Sequence, residues 1–297
     1  MISFIIISYK DKEYLIRLIK SIGNVMGGGT EYEVILVDSA KDIQLKELIE
    51  GNDLGIRYYA LDDNRGYGFA AGYGVSKAKW EYICVMNADI EFITGNVKDI
   101  CDRLERQKEV GLIGPKIILP DGMVQLSWGL KPTPINELII KMRDYLYKKG
   151  MIRRIMERQT KHEFYAEWLT GACFFMRKEV WEEVEGFDTN FFLYFEDIDL
   201  SMRLLNRGYK ILYYPSFQVL HYMGISKKQI ITKADIEAKR SQLYFYTKHN
   251  SRVQLIILIA YLLIKSYIRL FYYKLMENEE RVAVIKGIIE AIKNVRI

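Results

Sequence analysis

Short apolar runs and helical spacings alternate along the first third of the chain. Residues 2–8 form an unbroken hydrophobic stretch of the kind buried in a sheet, whereas residues 12–22 place Tyr14, Leu15, Leu18, Ile19 and Ile22 at helical intervals. The same alternation predicts a strand over 33–37, a helix over 43–49 and a strand over 56–61. A small-residue helix over 69–78 and a strand over 82–86 follow. Strands separated by helices imply βαβ units, hence an α/β fold built on a mainly parallel sheet. Ligands of such sheets bind beyond the carboxyl ends of the strands. Ser8, Asp38, Asn64 and Asp89 stand at four such ends, and their convergence on one edge favours a nucleotide.

Further on the pattern changes. Gly114-Pro115, Pro120-Asp121-Gly122 and Pro132-Thr133-Pro134 make residues 111–134 turn-rich and predict a hairpin. A basic amphipathic helix is predicted over 135–156. It sets Leu138, Ile139, Met142, Leu146, Ile152 and Ile155 against Lys141, Arg143, Lys148, Lys149, Arg153 and Arg154. That pattern suits a solvated helix on a core or one lying at an interface. Residues 168–177 read as a strand, as do 211–214, which Pro215 ends before Val219-Leu220-His221. The tail carries an apolar run at 253–264. A helix of that length covers about 18 Å, short of the roughly 30 Å hydrocarbon core of a bilayer. Extending it takes in Lys265, Arg269 and Lys274, which favours a helix lying in the membrane interface over a spanning one. The alternative is an ordinary helical appendage on a soluble enzyme.

Composition adds three constraints. At 297 residues and 50% hydrophobic, the chain can bury a sizeable core. Cys84, Cys101 and Cys173 lie far apart with no C-x-x-C pair, which argues against a zinc site or disulfide framework and fits a reducing cytosolic setting. The opening residues lack a basic n-region and a small-residue cleavage site, so they read as a buried strand rather than a signal peptide. Residues 226–297 carry 14 Lys and Arg against six Asp and Glu, about +8, whereas residues 1–225 carry about −3. This asymmetry points to an anionic partner. No helix-turn-helix, RNA-recognition or zinc-finger pattern accompanies it, so a membrane surface is favoured over nucleic acid.

The strongest candidate chemistry is Asn190-Phe191-Phe192-Leu193-Tyr194-Phe195-Glu196-Asp197-Ile198-Asp199-Leu200, where an aromatic block runs straight into three carboxylates. Acids at a helix start are favoured by its dipole, which suffices for a simple cap. Their apolar setting instead suits a general base, because desolvation and like charge raise a carboxylate pKa. Other candidates each have a bland reading beside the functional one. The glycines of 64–74 can admit a phosphate or allow tight helix–sheet packing. Asn87-Ala88-Asp89 can supply a hard oxygen ligand to Mg²⁺ or Mn²⁺, or simply an Asx turn. Trp168 beside Gly171-Ala172 suits a sugar face or a core, and His221 a ligand or a structural role.

In their order these motifs resemble the inverting GT-A glycosyltransferases of the family 2 type, in particular the bacterial rhamnosyltransferase-like branch, over about residues 1–250. Ile6-Ile7-Ser8-Tyr9-Lys10 is similar to the opening Val-Ser-Tyr-Asn, and Ile35-Leu36-Val37-Asp38-Ser39 to Val-Val-Asp-Asn-Ser. Asn64-Arg65-Gly66-Tyr67-Gly68 resembles Asn-x-Gly-Tyr/Phe-Gly, and Asn87-Ala88-Asp89 stands where the family has Asn-Pro-Asp, a form of the metal-binding Asp-x-Asp. Trp168 to Ala172 matches Trp-x-x-Gly-Ala. Gly186-Phe187-Asp188 through Asp199 closely matches the family's aromatic-framed acidic motif. His221 to Ser226 matches His-x-x-Gly-x-Ser, and Tyr246 to Asn250 resembles Tyr-x-x-Lys-His with one residue fewer between Tyr and Lys. Ser39, Gly72 and Thr189 depart from the pattern, and they bear on the donor rather than the reaction.

The resemblance implies a GT-A catalytic domain over 1–225 and a helical, membrane-associating region over 226–297. It implies donor contacts from Ser8, Asp38, Asn64, Asn87, Gly171 and Ala172, with Asp38 reading the base or ribose. Asp89 and His221 would hold Mg²⁺ or Mn²⁺, and Asp197 would act as the base. Glu196, Asp199 and Trp168 would contact the acceptor, with Arg203 pairing to Asp199. The implied reaction transfers a sugar, first L-rhamnose from dTDP-L-rhamnose, to a lipid-linked saccharide acceptor during cell-surface polysaccharide synthesis. The enzyme would sit on the cytoplasmic face of the plasma membrane. A UDP-hexose donor is the alternative. A sugar-1-phosphate nucleotidyltransferase fits less well, because residues 5–12 carry no glycine. A non-catalytic saccharide-binding protein would have no need of Asp89, Asp197 and His221 together.

Overall fold

The computed structural model describes residues 1–10, 13–26, 31–51, 55–223 and 231–295, the last segment without the side chains of 231–233. Strands β1 (Ile2–Ser8), β2 (Tyr32–Asp38), β3 (Ile56–Ala60) and β4 (Tyr82–Asn87) alternate with helices α1 (Leu15–Val25), α2 (Ile43–Gly51) and α3 (Tyr67–Lys77). The four strands are parallel, as their near-continuous apolar sequences predict. Next come β5 (Ile90–Thr94), α4 (Val97–Arg106), β6 (Val110–Ile118), β7 (Trp128–Gly129), α5 (Pro134–Lys148), α6 (Arg153–Gln159), β8 (Phe164–Ala166) and β9 (Trp168–Leu169). The chain continues through β10 (Cys173–Arg177), α7 (Lys178–Glu183), α8 (Glu196–Asn206) and β11 (Lys210–His221). Three helices close it: α9 (Ile231–His249), α10 (Arg252–Leu275) and α11 (Glu279–Lys293).

The main sheet has the order β3-β2-β1-β4-β10-β6-β11-β5, with β8 added against β11. Within it β5, β8 and β10 run antiparallel to their neighbours, so the sheet is mixed with a parallel majority. Register aligns the functional ends: Ser8 lies opposite Asp38, and Ile7 opposite Asn87. One apolar cluster joins the sheet to α1, α2 and α4, and another joins its opposite face to α3, α7 and α8. A third, including Phe191, Ile198, Phe245, Leu258 and Ile288, packs the acidic stretch against α9, α10 and α11.

Several predicted elements differ in detail. The helix expected over 135–156 is two helices, broken at Gly150, whose φ of +80° ends the first. The strand expected over 168–177 is interrupted at Thr170-Gly171-Ala172, where a turn separates β9 from β10. Pro215 does not end its strand. Between Tyr214 and Gln218 the register of β11 shifts, and a bulge tolerates a residue that has no N–H to donate. Residues 224–226 of the His221 motif, and the expected domain boundary at 225/226, lie outside the described residues.

Helix α10 starts with a capping box in which Ser251 and Gln254 satisfy each other's backbone N–H groups. Its 24 residues are long and apolar enough to cross a membrane by length and composition. One face is buried through Leu255, Leu258 and Leu262. Along the other, Ile257, Ile264, Ile268 and Phe271 are exposed, and on α5 Leu138 and Met142 are exposed too.

Candidate active site

The acidic stretch is built by backbone that most residues avoid. Tyr194 and Phe195 both have φ of +68°, a conformation costing about 1–2 kcal/mol each for an L-residue. Its surroundings hold it there. Ser241 Oγ of α9 donates to the Leu193 carbonyl at 2.8 Å, and Tyr67 N–H donates to the Phe192 carbonyl at 3.1 Å. Gly66, with φ of +94°, passes so close that a Cβ there would sit 2.2 Å from the Phe192 oxygen. The glycine of the 64–68 loop is therefore required by close packing against the acidic motif.

Asp197 emerges from this kink in the first turn of α8. Its Oδ2 accepts from Gly171 N–H at 2.8 Å, and its Oδ1 from Ile198 N–H at 2.8 Å. A Cβ on Gly171 would lie 3.2 Å from the Asp197 Cβ, so that turn hugs the acid. Tyr67 Oη donates to the Gly171 carbonyl at 2.8 Å, and Asn87 N–H donates to the Ala172 carbonyl at 3.0 Å. A single turn thus links Asp197 to the carboxyl end of β4. Burial raises the Asp197 pKa, more than the Gly171 and Ile198 amides lower it. Glu196 is pushed well above the ordinary range, by burial first and then by the Asp197 charge, and among the described residues its Oε2 has no hydrogen-bond partner. Of this adjacent pair, Asp197 has both oxygens held by backbone amides, which favour its ionised form.

Across the turn, Asp89 and His221 come together from 132 residues apart in sequence because β11 pairs with β5. Asp89 Oδ1 lies 3.3 Å from His221 Nε2, and both residues are buried. His221 Nδ1 lies 2.9 Å from Gln125 Oε1; with Nδ1–H donating there, the Nε2 lone pair is free for a cation shared with Asp89. This fits a divalent cation: a carboxylate and an imidazole oriented from behind. Among the described residues no group of three or more His, Cys, Asp and Glu forms a metal cage, so the remaining positions fall to oxygen ligands of a substrate and to water.

Other expected residues occupy varied settings. Among the described residues Ser8 Oγ has no hydrogen-bond partner, and it is buried at the end of β1. Asn64 is exposed, and its Oδ1 closes an Asx turn on Gly66 N–H at 3.0 Å. Trp168 is half-buried against the third apolar cluster and donates from Nε1 to the Leu130 carbonyl at 2.8 Å. Two of the expected carboxylates are already bonded within the protein. Asp38 is fully buried and accepts from Ala40 N–H, Asp42 N–H and Tyr58 Oη at 2.7–2.9 Å, which holds the loop after β2. Asp199 is the other. At 0% exposure it sits behind the site, 2.8 Å from Arg203 Nε, 2.7 Å from His249 Nε2 and 2.8 Å from Lys248 Nζ. Burial alone would raise its pKa, but His249, Arg203 and Lys248 together bring it below the usual range. The expected Arg203–Asp199 pair is present, and Arg203 also donates to the Val184 and Gly186 carbonyls.

Sequence reasoning missed Gln125, a lone polar residue in a turn-rich segment with no spacing signal to mark it. It also missed the Tyr67 hydroxyl, whose partner is 104 residues away.

Comparison with known proteins agrees with this geometry. A family model described as Glycosyl transferase family 2 matches residues 3–198, about two thirds of the chain. The N-acetylglucosaminyl-diphospho-decaprenol L-rhamnosyltransferase of Mycobacterium tuberculosis is 25% identical over 233 residues, covering 74% of this chain and 75% of that protein. Rhamnosyltransferase WbbL of Escherichia coli is 23% identical over 247 residues, covering 79% and 88%. Among solved structures, GalNAc-T7 with UDP, GalNAc and Mn²⁺ superposes with a TM-score of 0.61 at 16% identity, covering 83% of this chain and 49% of that one. The mannosyltransferase PcManGT of Pyrobaculum calidifontis, with GDP-Man and Mn²⁺, gives 0.56 at 13% identity, covering 100% and 76%. These structures share the GT-A-like fold, and the sequence match carries the assignment: this chain belongs to glycosyl transferase family 2 and is a glycosyltransferase.

Proposed function

We propose that this enzyme transfers L-rhamnose from dTDP-L-rhamnose, with inversion, to a saccharide linked through a diphosphate to a polyprenol, at the cytoplasmic surface of the plasma membrane. One observation carries the reading: the Thr170-Gly171-Ala172 turn fixes Asp197 beside the strand end that leads to Asp89 and His221. The relatives' names support the sugar and the acceptor class. The exposed apolar faces of α5 and α10 support the membrane.

In this reading the nucleotide lies along the ends of β1, β2 and β4. The unpartnered Ser8 hydroxyl, Asn64, Asn87 and the Gly171-Ala172 backbone line its pocket, and Asp38 shapes the pocket wall through its loop. Asp89 and His221 would hold Mg²⁺ or Mn²⁺, which when bound offsets charge on the departing nucleoside diphosphate. Asp197 takes the proton from the acceptor hydroxyl as that oxygen attacks the anomeric carbon, on the side opposite the leaving group. Trp168 flanks the acceptor with its exposed edge. Glu196, kept protonated, can donate a hydrogen bond to an acceptor oxygen.

The direct test incubates the purified protein with Mn²⁺ or Mg²⁺, a polyprenyl-diphosphate saccharide, and dTDP-L-rhamnose or a UDP-hexose. Metal-dependent transfer from dTDP-L-rhamnose with inverted product is expected; transfer from UDP-hexose alone would replace the donor. The metal assignment has its own check. Gln125→Leu is expected to weaken divalent-ion binding about 10–100-fold, the usual effect of removing an outer partner of a ligating histidine, as read by metal titration in the presence of dTDP. Unchanged affinity would remove His221 from the ligand set.

A further inference from the structure

Three lysines from three different helices meet where α5, α9 and α10 adjoin. Lys141 Nζ of α5 and Lys265 Nζ of α10 lie over the same ring, that of Tyr261, at 5.4 and 5.8 Å from its centroid. Lys239 of α9 donates to Gln242 Oε1 at 2.8 Å, and Gln242 donates in turn to Glu137, the partner of Lys141. Burial lowers the Lys239 pKa, Glu137 and Asp235 oppose that, and Lys141 and Lys265 lower it further. Glu137 Oε1 is already taken by Gln242 Nε2 and Tyr246 Oη, and its Oε2 accepts from Lys141 at 3.1 Å. Three lysines against Glu137 and Asp235 leave a net positive charge at the junction.

Its setting says what kind of anion fits. Lys141 and Lys265 stand on α5 and α10 beside the exposed Leu138, Met142, Ile264 and Ile268. Arg269, on α10 one turn beyond Lys265, adds to the positive rim. An anion that enters here arrives with hydrocarbon beside it. The segment before α5 is tied to the candidate active site, because the Leu130 carbonyl takes Trp168 Nε1 and the Pro132 carbonyl takes Asn250 Nδ2. The helix that carries Lys141 is thus anchored at its start to Trp168 and Asn250.

We propose that Lys141, Lys239 and Lys265 form a headgroup subsite for the diphosphate of a lipid, with the lipid chain lying along the apolar face of α5 and α10. This deepens the proposed function and rests on its acceptor class. Three lysines act as point charges rather than planar forks, which suits a diphosphate carrying two or three negative charges. The site gives the exposed Leu138, Met142, Ile264 and Ile268 an apolar occupant.

The test measures flotation of the full chain with phosphatidylcholine vesicles that carry either undecaprenyl diphosphate or phosphatidylserine at matched charge. The wild type is expected to prefer the diphosphate vesicles. Each lysine removed is expected to weaken that binding roughly fivefold, and the preference should vanish in K141Q/K239Q/K265Q. K141Q/K265Q alters two exposed side chains only, so it folds as the parent does and should already lose most of the preference. Equal binding of the wild type to both vesicles, or a preference that survives the triple substitution, overturns the subsite. Binding of inorganic pyrophosphate without vesicles, as tight as that of the lipid and lost in the triple variant, overturns the lipid as occupant. Vesicle binding needs no nucleotide-sugar, so it can fail while transfer to a soluble acceptor persists, and the subsite and the reaction are judged separately.

Discussion

Asp197→Asn is expected to lower kcat by about 10²–10⁴-fold, the range for loss of a general base, while the affinity for nucleotide-sugar stays within a few-fold of the parent. The substitution keeps the shape of the side chain and an oxygen able to accept from Gly171 or Ile198 N–H, so the turn that positions it survives. What it removes is the capacity to take a proton. Because burial raises the Asp197 pKa, the parent enzyme should lose activity on acidification above the usual carboxylate range. Below that raised pKa the base is protonated; above it the base is free. The acid limb of the kcat profile should disappear in the Asn variant. Isothermal titration with the donor, paired with transfer rates across pH, checks both halves. Turnover at the parental rate would require another base.

Asp199→Ala should act on stability before chemistry. Removing one partner of a buried ion cluster typically costs ~3–5 kcal/mol, because the charges left behind are uncompensated. Arg203, Lys248 and His249 would all lose a carboxylate that is itself fully buried. Equilibrium urea unfolding measures the loss, and a midpoint equal to the parent's would show that the cluster contributes nothing. The pH dependence has a definite sign. Asp199 has a depressed pKa, and so does Asp188, where Lys248, Asn190 and Tyr244 outweigh burial and bring the carboxyl down to about 2. For both, the stabilisation is present above the unfolded carboxylate pKa of about 4. It is lost as pH falls from there through the folded values. The parent should therefore lose stability over that acid window, and the variant should lose less.

Most of the sheet could be read in advance because its strands are buried on both faces and announce themselves as apolar runs. Residues 2–8, 33–37 and 82–86 all fall within observed strands. The pairing of Asp89 with His221 followed from motif order rather than pattern, since a long-range antiparallel register leaves no local trace. Asp199 shows where local reading stops. Beside two other acids it looks like one more surface carboxylate, and only the fold brings α9 behind it. The Arg203 pair was legible because it is an i,i+4 relation within one helix; Lys248 and His249, about 50 residues on, carried a motif without a stated role. The break at Gly150 and the bulge at Pro215 were visible as residues, but the tertiary context decided what each did.

The placement of Lys248 and His249 also bears on how the protein is made. Until residue 249 has left the ribosome, Asp199 has Arg203 but neither Lys248 nor His249, and the apolar block at 191–195 has no α9 to rest on. The nascent chain can assemble its four parallel strands early, yet the acidic stretch stays unbraced until α9 is synthesised. Completion of that stretch therefore arrives late, just ahead of the helix that carries the exposed apolar face.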